Sequence, residues 1–447
     1  MKAKNYLNNN ALISIKGGEN VLYNEKIEVF FSKEDSLILD GQSKICNWLY
    51  NQLLQATKDD YENGNSLKLL SGRNLRNYST KMKDVNKFLY SVHSSPLKNT
   101  ALRLKDAYER FFKGQNEYPK FRSWKKYWFS LYYDEPNKGF KVDGQSLKIS
   151  LGKAVVFDKK GKEKGKQVSV TGELKESLVL PKGAKIKTFR LCKQQGDRFY
   201  AIFTIEAIEP NKKEEKSWIA IDQNHKNFFV AIDNTGRTFE FLKLYQTKYW
   251  DEKIDLLKSK RDLCLKKAKE HTTIHGNKYY TSSKRYHRIN KALNKAYNTR
   301  REQIKSIMYQ IAHFIAKNYD HVIIGNYVPS KNTAKYKTMH RSMLNQAHIG
   351  EFRKILEWVM LKSGKHFSLV DEKDTTKICS MCGHKEKKPP NIREFTCSNC
   401  DTFMLRDVNS AVNMANKVSL TPMSFDNIDK INKVGVFNFK RYSLMVV

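Results

Sequence analysis

The sequence is short of acidic residues, and its prolines and cysteines are few. Only 46 Asp and Glu residues accompany 82 Lys and Arg residues, so the formal net charge is +36 at pH 7. This excess is larger than solubility requires and indicates a polyanionic partner. Aromatic residues form 12% of the chain. They are interleaved with the basic residues, which is typical of phosphate contact with base stacking rather than of a membrane surface. A basic protein without such a partner is the alternative.

Long apolar runs are also missing. No stretch approaches the roughly eighteen apolar residues of a membrane span, and no signal peptide follows Met1. Cys46, Cys192 and Cys264 are scattered singly, which favours a reducing compartment. We therefore expect a soluble intracellular protein, and 447 residues suffice for two or three domains.

Two CxxC pairs, separated by fourteen residues, form the most specific motif of the chain. A CxxC bend directs two thiolates towards one point, and two such bends supply the four soft ligands of a tetrahedral structural zinc site. Gly383 as a turn residue and a short strand at Glu394–Thr396 favour a zinc ribbon. An iron–sulfur cluster is the alternative. The predicted zinc ligands are Cys379, Cys382, Cys397 and Cys400.

The first half of the chain changes from a helical to a strand period. Residues 36–115 carry apolar faces at helical spacing. Further along, apolar residues alternate with polar ones, as at Leu147 and Ile149. We expect a helical lobe at 36–115, inserted into a small β-barrel or sheet formed by 1–35 and 116–215.

A basic and aromatic segment, Tyr118–Trp128, stands at the entrance to this sheet. Alternating cations and rings favour nucleic-acid contact, whereas a solvated loop packed by its own rings is the alternative. The candidate contact residues are Lys120, Phe121, Arg122, Trp124, Lys125, Lys126, Tyr127 and Trp128.

An apolar stretch after residue 216 predicts a second sheet. Ile219–Ile221 form a buried strand that ends at Asp222, and Phe228–Ile232 form its hairpin partner. Residues 251–319 predict a long basic helical stretch, and His321–Ile324 predict another buried strand.

Two more acids follow predicted elements. Glu372 comes directly after the strand Phe367–Val370, and Asp407 lies in the first turn of the helix that follows the ribbon. An acid in such a place is either a turn former or a metal ligand. Asp371 and Asp374 are close enough in sequence to replace Glu372 as a ligand.

A hairpin of strands, a helix, two further strands and acids at their ends make a ribonuclease H-like pattern. The order of AIDQNHKNFFVAI, TTKICSMCG…FTCSNC and RDVNSAVN resembles the TnpB family of transposon-encoded RNA-guided nucleases. Its relatives include the Fanzor proteins and the compact type V CRISPR effectors. Upstream, NTALRLKDAYERFFKGQNEYPKFRSWKK is similar to the family's helix and its PKFK-like segment. The resemblance covers most of the chain.

The resemblance implies an α+β multidomain fold. A wedge-type β-barrel carries a helical recognition insert and precedes a RuvC nuclease domain, a ribonuclease H-like α/β fold with an inserted zinc ribbon. The implied bounds are 1–35 and 116–215 for the barrel and 36–115 for the recognition lobe. The RuvC domain would comprise 216–372 and 405–418, with its basic helical insert at 251–319, and the ribbon would comprise 373–404. Residues 419–447 are left as an unassigned extension.

The resemblance also implies the partners, namely a guide RNA and a target double-stranded DNA. The protein would read a short target-adjacent motif and leave the choice of sequence to base pairing. We expect a single copy of the chain in the ribonucleoprotein. It would be associated with DNA, in the nucleus for a eukaryote or its virus and in the cytoplasm or nucleoid for a prokaryote.

The chain departs from the family at one position. The second RuvC motif usually ends its strand with Glu, whereas this chain has Gly325 in VIIGNY. Fanzor proteins and some TnpB proteins carry that glutamate on the next strand, where this chain has Glu372. Glycine would leave room there for a side chain from the neighbouring strand. The implied catalytic residues are Asp222, Glu372 and Asp407, which would hold two Mg²⁺ or Mn²⁺ ions.

Two other functions fit the same residues. A nuclease-inactive, RNA-guided DNA-binding repressor is favoured by the loss of Glu at position 325. A DNA-binding accessory protein of a transposon would need no guide RNA, and sequencing of co-purifying RNA would distinguish it.

Overall fold

The chain divides into two compact units, Met1–Ile208 and Glu209–Val447. The computed structural model describes residues 13–14, 20–64, 68–123, 128–157, 163–194, 197–208, 210–212, 214–224, 227–241, 246–274, 276, 278–328, 348–389, 392–425, 431–438 and 443–446. None of the helices in these ranges carries an apolar stretch long enough to cross a membrane.

The first unit is built on an antiparallel sheet. Its strands are β1 (Ile13–Ser14), β2 (Asn20–Phe30), β3 (Leu131–Tyr133), β4 (Phe140–Asp143), β5 (Ser146–Phe157), β6 (Glu163–Leu174), β7 (Lys185–Gln194) and β8 (Arg198–Ile208). Within the described residues the order is β3-β7-β8-β2-β6-β5-β4, with β1 beside β2. The strand β2 therefore pairs with β8 and β6, although the helices separate it from them in sequence.

Three helices lie between β2 and β3 in the chain, namely α1 (Lys33–Glu62), α2 (Gly72–Val85) and α3 (Ser94–Phe112). Ser32 and Ser71 cap α1 and α2, because each side chain accepts the backbone N–H of the residue three positions later. The apolar faces of α1 and α3 share one hydrophobic core with the sheet. The prediction of helices followed by strands is confirmed at this level, while the separate bounds of lobe and barrel stay a prediction.

The second unit contains a mixed sheet. Its strands are β9 (Trp218–Gln223), β10 (Phe229–Asp233), β11 (Thr238–Phe241), β14 (His321–Gly325), β15 (His366–Val370), β18 (Ile431–Asn438) and β19 (Ser443–Val446). In the described part of the chain the order is β15-β14-β9-β10-β11-β18-β19. The strands β9, β10 and β11 are antiparallel, whereas β14 and β15 run parallel to β9.

The helices of this unit are α4 (Gln246–Lys266), α5 (Lys284–Asn318), α6 (Ile349–Lys362) and α7 (Arg406–Asn416). The apolar face of α7, with Val408, Ala411 and Val412, packs against β9 and β10. This packing fixes the first turn of α7 relative to the end of β9.

The structure corrects one prediction and fills one gap. Residues 251–319 are not helical throughout, because α4 and α5 are separated by the hairpin β12 (Lys269–Thr272) and β13 (Lys278–Thr281). Thr and Tyr in these strands favour the extended conformation. The extension 419–447 had no structural assignment, and its strand β18 lies parallel to β11 at what would otherwise be the edge of the sheet.

Candidate active site and zinc ribbon

Three carboxylates come from the ends of neighbouring elements. Asp222 lies in β9 one residue past the last β9–β14 pair, which places it level with Gly325. Gly325 pairs with Val370, and Glu372 follows two residues later. Asp407 lies in the first turn of α7, which packs against β9. Because β9, β14 and β15 are parallel, their carboxyl ends meet at one edge of the sheet.

The Glu372 side chain occupies the place that a side chain at position 325 would take. A Cβ atom built on Gly325 would lie 1.7 Å from Oε1 of Glu372 and 2.3 Å from its Cγ and Cδ. These separations are far below van der Waals contact, so the two side chains exclude each other. Glycine at the end of β14 is therefore what admits Glu372 from the end of β15.

Asp222 is strongly affected by its surroundings. The side chain is buried, and burial raises the pKa of its carboxyl group well above the ordinary value. The charges of Asp407 and Glu372 raise it further. A group of carboxylates that oppose each other's ionisation in a buried place indicates a functional site and would be relieved by a cation.

Glu372 is partly buried, and burial is also the main cause of its raised pKa. The backbone N–H of Tyr327 donates to Oε1 at 3.4 Å. Arg353 on α6 donates to the carbonyl of Tyr327 at 2.6 Å, and its positive charge opposes the rise of the Glu372 pKa. The residues after β14 thus still contribute to the site through their backbone.

Asp407 is held by two donors that the sequence analysis missed. Nη1 of Arg393 donates to both carboxylate oxygens, at 3.1 and 2.9 Å. Nδ2 of Asn224, which follows β9, donates to Oδ2 at 3.1 Å. Arg393 lies in the ribbon, so the carboxylate of Asp407 connects the ribbon with the end of β9. No local pattern around Arg393 signals this contact, because it depends on how the ribbon packs.

The two alternatives to Glu372 have different environments. Asp371 is exposed, and its Oδ1 accepts the backbone N–H of Lys373 at 3.2 Å. Asp374 forms ion pairs with Lys377 at 2.7 Å and Lys385 at 2.6 Å. These lysines lower the pKa of Asp374 to about 2. Both carboxylates are accounted for by contacts outside the strand-end cluster.

The four cysteines lie at the corners of a small tetrahedron. Sγ of Cys379 is 3.7 Å from Sγ of Cys400, and Sγ of Cys382 is 3.6 Å from Sγ of Cys397. Four thiolates bound to zinc at about 2.3 Å would lie about 3.8 Å apart. The donor set and its spacing therefore fit a zinc ion.

Both halves of the cysteine cluster use the same turn. The N–H of Gly383 donates to the carbonyl of Cys379 at 2.9 Å, and the N–H of Asp401 donates to that of Cys397 at 3.0 Å. Gly383 and Asp401 have φ of +75° and +52°. The predicted strand Glu394–Thr396 is confirmed as β16, and it pairs with β17 (Phe403–Leu405).

Asparagines of the RDVNSAVNMAN segment attach α7 to the first cysteine turn. Nδ2 of Asn413 donates to the carbonyls of Ile378 at 2.7 Å and Thr375 at 2.8 Å. Nδ2 of Asn409 donates to Ile378 at 2.8 Å, and its Oδ1 accepts the N–H of Ser380 at 2.9 Å. The ribbon therefore supports the helix that carries Asp407.

The carboxylates are less tightly grouped than the thiolates. In the described ranges, the four cysteine Sγ atoms lie within 4.8 Å of one another, close enough to hold one metal ion. The three carboxylates do not meet this distance. Asp222, Glu372 and Asp407 are close enough to influence one ionisation, as the pKa of Asp222 shows. Oxygen donors of this type suit Mg²⁺ or Mn²⁺.

The basic and aromatic segment divides into surface and packed residues. Lys120 is exposed and pairs with Glu117, and Phe121 is 50% exposed. Trp128 packs against the core and donates its indole N–H to Asp40 at 2.8 Å. Arg122 donates through Nε to Asn47 at 3.0 Å. The other candidates lie outside the described residues, and they are Trp124, Lys125, Lys126 and Tyr127.

Comparisons with known proteins found one matching family model and two curated relatives. Residues 350–414, from α6 to α7, match the family described as Cas12f1-like, TNB domain. A Streptomyces pristinaespiralis protein named “Putative RNA-guided DNA endonuclease” is 22% identical over 73% of this chain and 72% of its own length. A mimivirus protein, “Putative transposase R186” of Acanthamoeba polyphaga mimivirus, is 25% identical over 42% of this chain, and the match spans only 37% of that protein.

The fold has a solved counterpart. A chain in the cryo-EM structure of the Cas12f1-sgRNA-target DNA complex superposes with a TM-score of 0.57 at 15% identity, over 87% of this chain and 84% of that chain. At this identity the likeness concerns the α+β fold. The match at 350–414 and the two relatives are in line with the resemblance of this chain to TnpB- and Cas12f-like proteins.

Proposed function

We propose that this TnpB/Cas12f-like chain is an RNA-guided DNA endonuclease that cleaves double-stranded DNA at a site formed by Asp222, Glu372 and Asp407. The observation that carries the proposal is the exchange at the end of β14. The Glu372 carboxylate occupies the space of the side chain missing at Gly325, next to the buried Asp222. A carboxylate lost from one strand end is thereby replaced from the neighbouring strand end.

In this proposal the second unit is a RuvC domain, and the order β11-β10-β9-β14-β15 is its ribonuclease H-like sheet. The first unit would be the wedge-type barrel with its recognition helices. A guide RNA and a target DNA are the partners, in line with the name of the Streptomyces relative and with the RNA and DNA of the superposed complex. The net charge of +36 suits the binding of both.

Divalent cations would supply an activated water and stabilise the charge on the attacking and leaving oxygens of the phosphodiester. The chain itself contributes the oxygen ligands. The charges of Glu372 and Asp407 both act on Asp222, so the three carboxylates together would hold the divalent cations. Arg393 and Asn224 orient the Asp407 carboxylate.

The test uses the full chain with its co-purified RNA and a double-stranded target in Mg²⁺. Glu372→Gln should abolish cleavage, and RNA and target binding should remain, because metal ligation matters to the chemistry and not to base pairing. Asp371→Asn is the matched control, since Asp371 is exposed, and it should cut normally. Gly325→Glu should restore some cleavage to Glu372→Ala if both positions reach one metal site.

The same experiment distinguishes the nuclease from the rival function, a repressor. Gly325 in place of the usual glutamate is the observation that favours an RNA-guided repressor without nuclease activity. If the unaltered chain binds its target but never cuts it in Mg²⁺ or Mn²⁺, the repressor is correct. If Glu372→Gln cuts as well as the unaltered chain, the assignment of Glu372 is wrong.

A further inference from the structure

Two arginines in the first unit form no ion pair with a carboxylate in the described part of the chain, and each has a buried nitrogen without an acceptor there. Arg103 lies on α3 and Arg190 lies on β7. The Arg103 guanidinium stacks on the ring of Phe129, with its Cζ 4.6 Å from the ring centroid. The Arg190 guanidinium stacks on Tyr132 at 4.8 Å. Ring stacking fixes both groups but leaves their in-plane N–H donors to find other acceptors.

One buried nitrogen on each arginine remains without an acceptor among the described residues. Nη2 of Arg103 and Nε of Arg190 are buried and have no hydrogen-bond partner there. By contrast, Arg198 on the neighbouring strand donates to both oxygens of Glu28 at 2.5 and 2.6 Å. A buried donor without an acceptor costs stability, and a buried charge without a counterion costs more.

The two arginines also oppose each other. The pKa of Arg103 is lowered to about 10, mainly by burial and next by the positive charge of Arg190. The other groups that act most strongly on Arg103 are Cys46, Cys192 and Arg122, and none of these is a carboxylate. Arg122 already donates to Asn47. An anion from outside the protein would therefore balance the positive charge of Arg103 and Arg190.

We propose that Arg103 and Arg190 form a phosphate-binding site that a backbone phosphate of the guide RNA fills. The site rests on the proposed function for the identity of its ligand. Guanidinium groups suit phosphate because their planar N–H donors match its oxygens. We choose the guide RNA over the target DNA because an unbalanced pair of charges between α3 and β7 favours a ligand that is present throughout, and in an RNA-guided protein the guide must be bound before it can pair with a target.

The test compares Arg103→Met/Arg190→Met with Arg73→Met/Arg76→Met in the full chain. The second pair removes the same charge from exposed positions on α2. The RNA is the one recovered from the purified complex, measured by filter binding over a salt series. The inner pair should weaken RNA binding at least about tenfold, since each charged hydrogen bond is strong. It should also reduce the slope of log affinity against log salt by about one for each arginine.

Stability of the RNA-free protein gives a second readout. Methionine keeps the contact with the rings and removes the unbalanced charges, so the melting temperature should stay the same or rise. Inorganic phosphate should raise the melting temperature of the unaltered protein more than that of Arg103→Met/Arg190→Met. A structural role for the arginines predicts the opposite, a marked fall in melting temperature, and would overturn the proposal.

Other outcomes are equally decisive. Equal loss of RNA affinity in both variant pairs would mean that only net charge matters, and the site would be refuted while the guided nuclease stands. If no RNA accompanies the protein, the proposed function fails. The effect of inorganic phosphate on the melting temperature then decides by itself whether the two arginines form an anion site. Equal stabilisation of both forms by phosphate would then refute an anion site, and a selective effect would support one for free phosphate rather than RNA.

Discussion

At Gly325, a missing side chain decides which strand supplies an acid to the site. The Glu372 carboxyl group lies 1.7 Å from where a Cβ of residue 325 would be. Two neighbouring parallel strand ends can thus present a carboxylate to the same place, but only one at a time. The departure from the family pattern and the position of Glu372 therefore have a common steric reason.

Gly325→Ala should reduce cleavage strongly although it adds no charge. A methyl group at this position must displace the Glu372 carboxylate by more than about 1 Å, and misplacement of this size can cost about 100-fold in rate. Cleavage by the assembled complex is the measurement. Gly350→Ala is the control, since a Cβ there meets nothing within 4 Å. Normal cleavage by Gly325→Ala would show that the chemistry does not use Glu372 in this place.

Asp222 should make the metal-free protein less stable as pH rises. Its pKa is raised in the folded protein by burial and by the neighbouring acids, whereas the unfolded chain ionises near the ordinary value of about 3.9. Between these values the folded state binds more protons, so the free energy of unfolding falls with increasing pH. Urea unfolding at a series of pH values without divalent cations measures this slope.

Asp222→Asn removes this ionisation and should reduce the slope while abolishing cleavage; Glu372, whose pKa is also raised, should keep its own share. It should also raise the melting temperature at neutral pH, by about 2–4 °C for each kcal/mol in a domain of this size. In Mg²⁺ the unaltered protein should recover stability with rising pH, because the cation replaces the proton. An identical pH slope in both proteins would contradict the assignment.

Helix α7 links the chemistry of the ribbon to that of the carboxylates. Its asparagines bind the carbonyls of the first cysteine turn, and its first turn carries Asp407. Arg393 of the ribbon also holds the Asp407 carboxylate. Zinc bound at the four cysteines would therefore be coupled to the position of Asp407 through one helix, since metal binding and local folding share one free energy.

Asn413→Ala should speed zinc loss and reduce cleavage without changing the four cysteines. It leaves the carbonyls of Thr375 and Ile378 with one donor fewer in a buried place, at a cost of about 1–3 kcal/mol. Zinc release to a colorimetric chelator and cleavage rate are the measurements. Asn416→Ala is the matched control, because Asn416 makes one long contact of 3.4 Å from an exposed position. Equal zinc release from both variants would argue against the coupling.

The charge of the whole molecule determines how it should respond to salt. With +36 at pH 7, binding of RNA and of the RNA-directed DNA target should release many counterions. The logarithm of affinity should therefore fall about linearly with the logarithm of salt concentration. Filter binding at several salt concentrations, with and without the RNA, tests this. DNA affinity that is independent of salt, or equal without RNA, would contradict an RNA-guided protein.

The elements that the sequence predicted are those with strong local signals. The strand β9 with Asp222, the strand β15 before Glu372 and the helix α7 with Asp407 each place apolar residues next to an acid, although β9 runs one residue further than predicted, to Gln223. The extension after residue 418 and the hairpin between α4 and α5 escaped prediction. The extension depends on pairing with β11, which is distant in sequence, and the hairpin is a short interruption within a basic helical region.

What the sequence by itself determined is the chemistry available: four thiolates at zinc-ribbon spacing, acids at strand and helix ends, and a large positive charge. Tertiary structure alone decided which groups meet. The Glu372 carboxyl group occupies the space next to Gly325, and Asp374 forms ion pairs with Lys377 and Lys385. Among the described residues, buried donors of Arg103 and Arg190 have no acceptor. Spacing along the chain limits local geometry, whereas contacts between distant residues depend on strand register and helix packing.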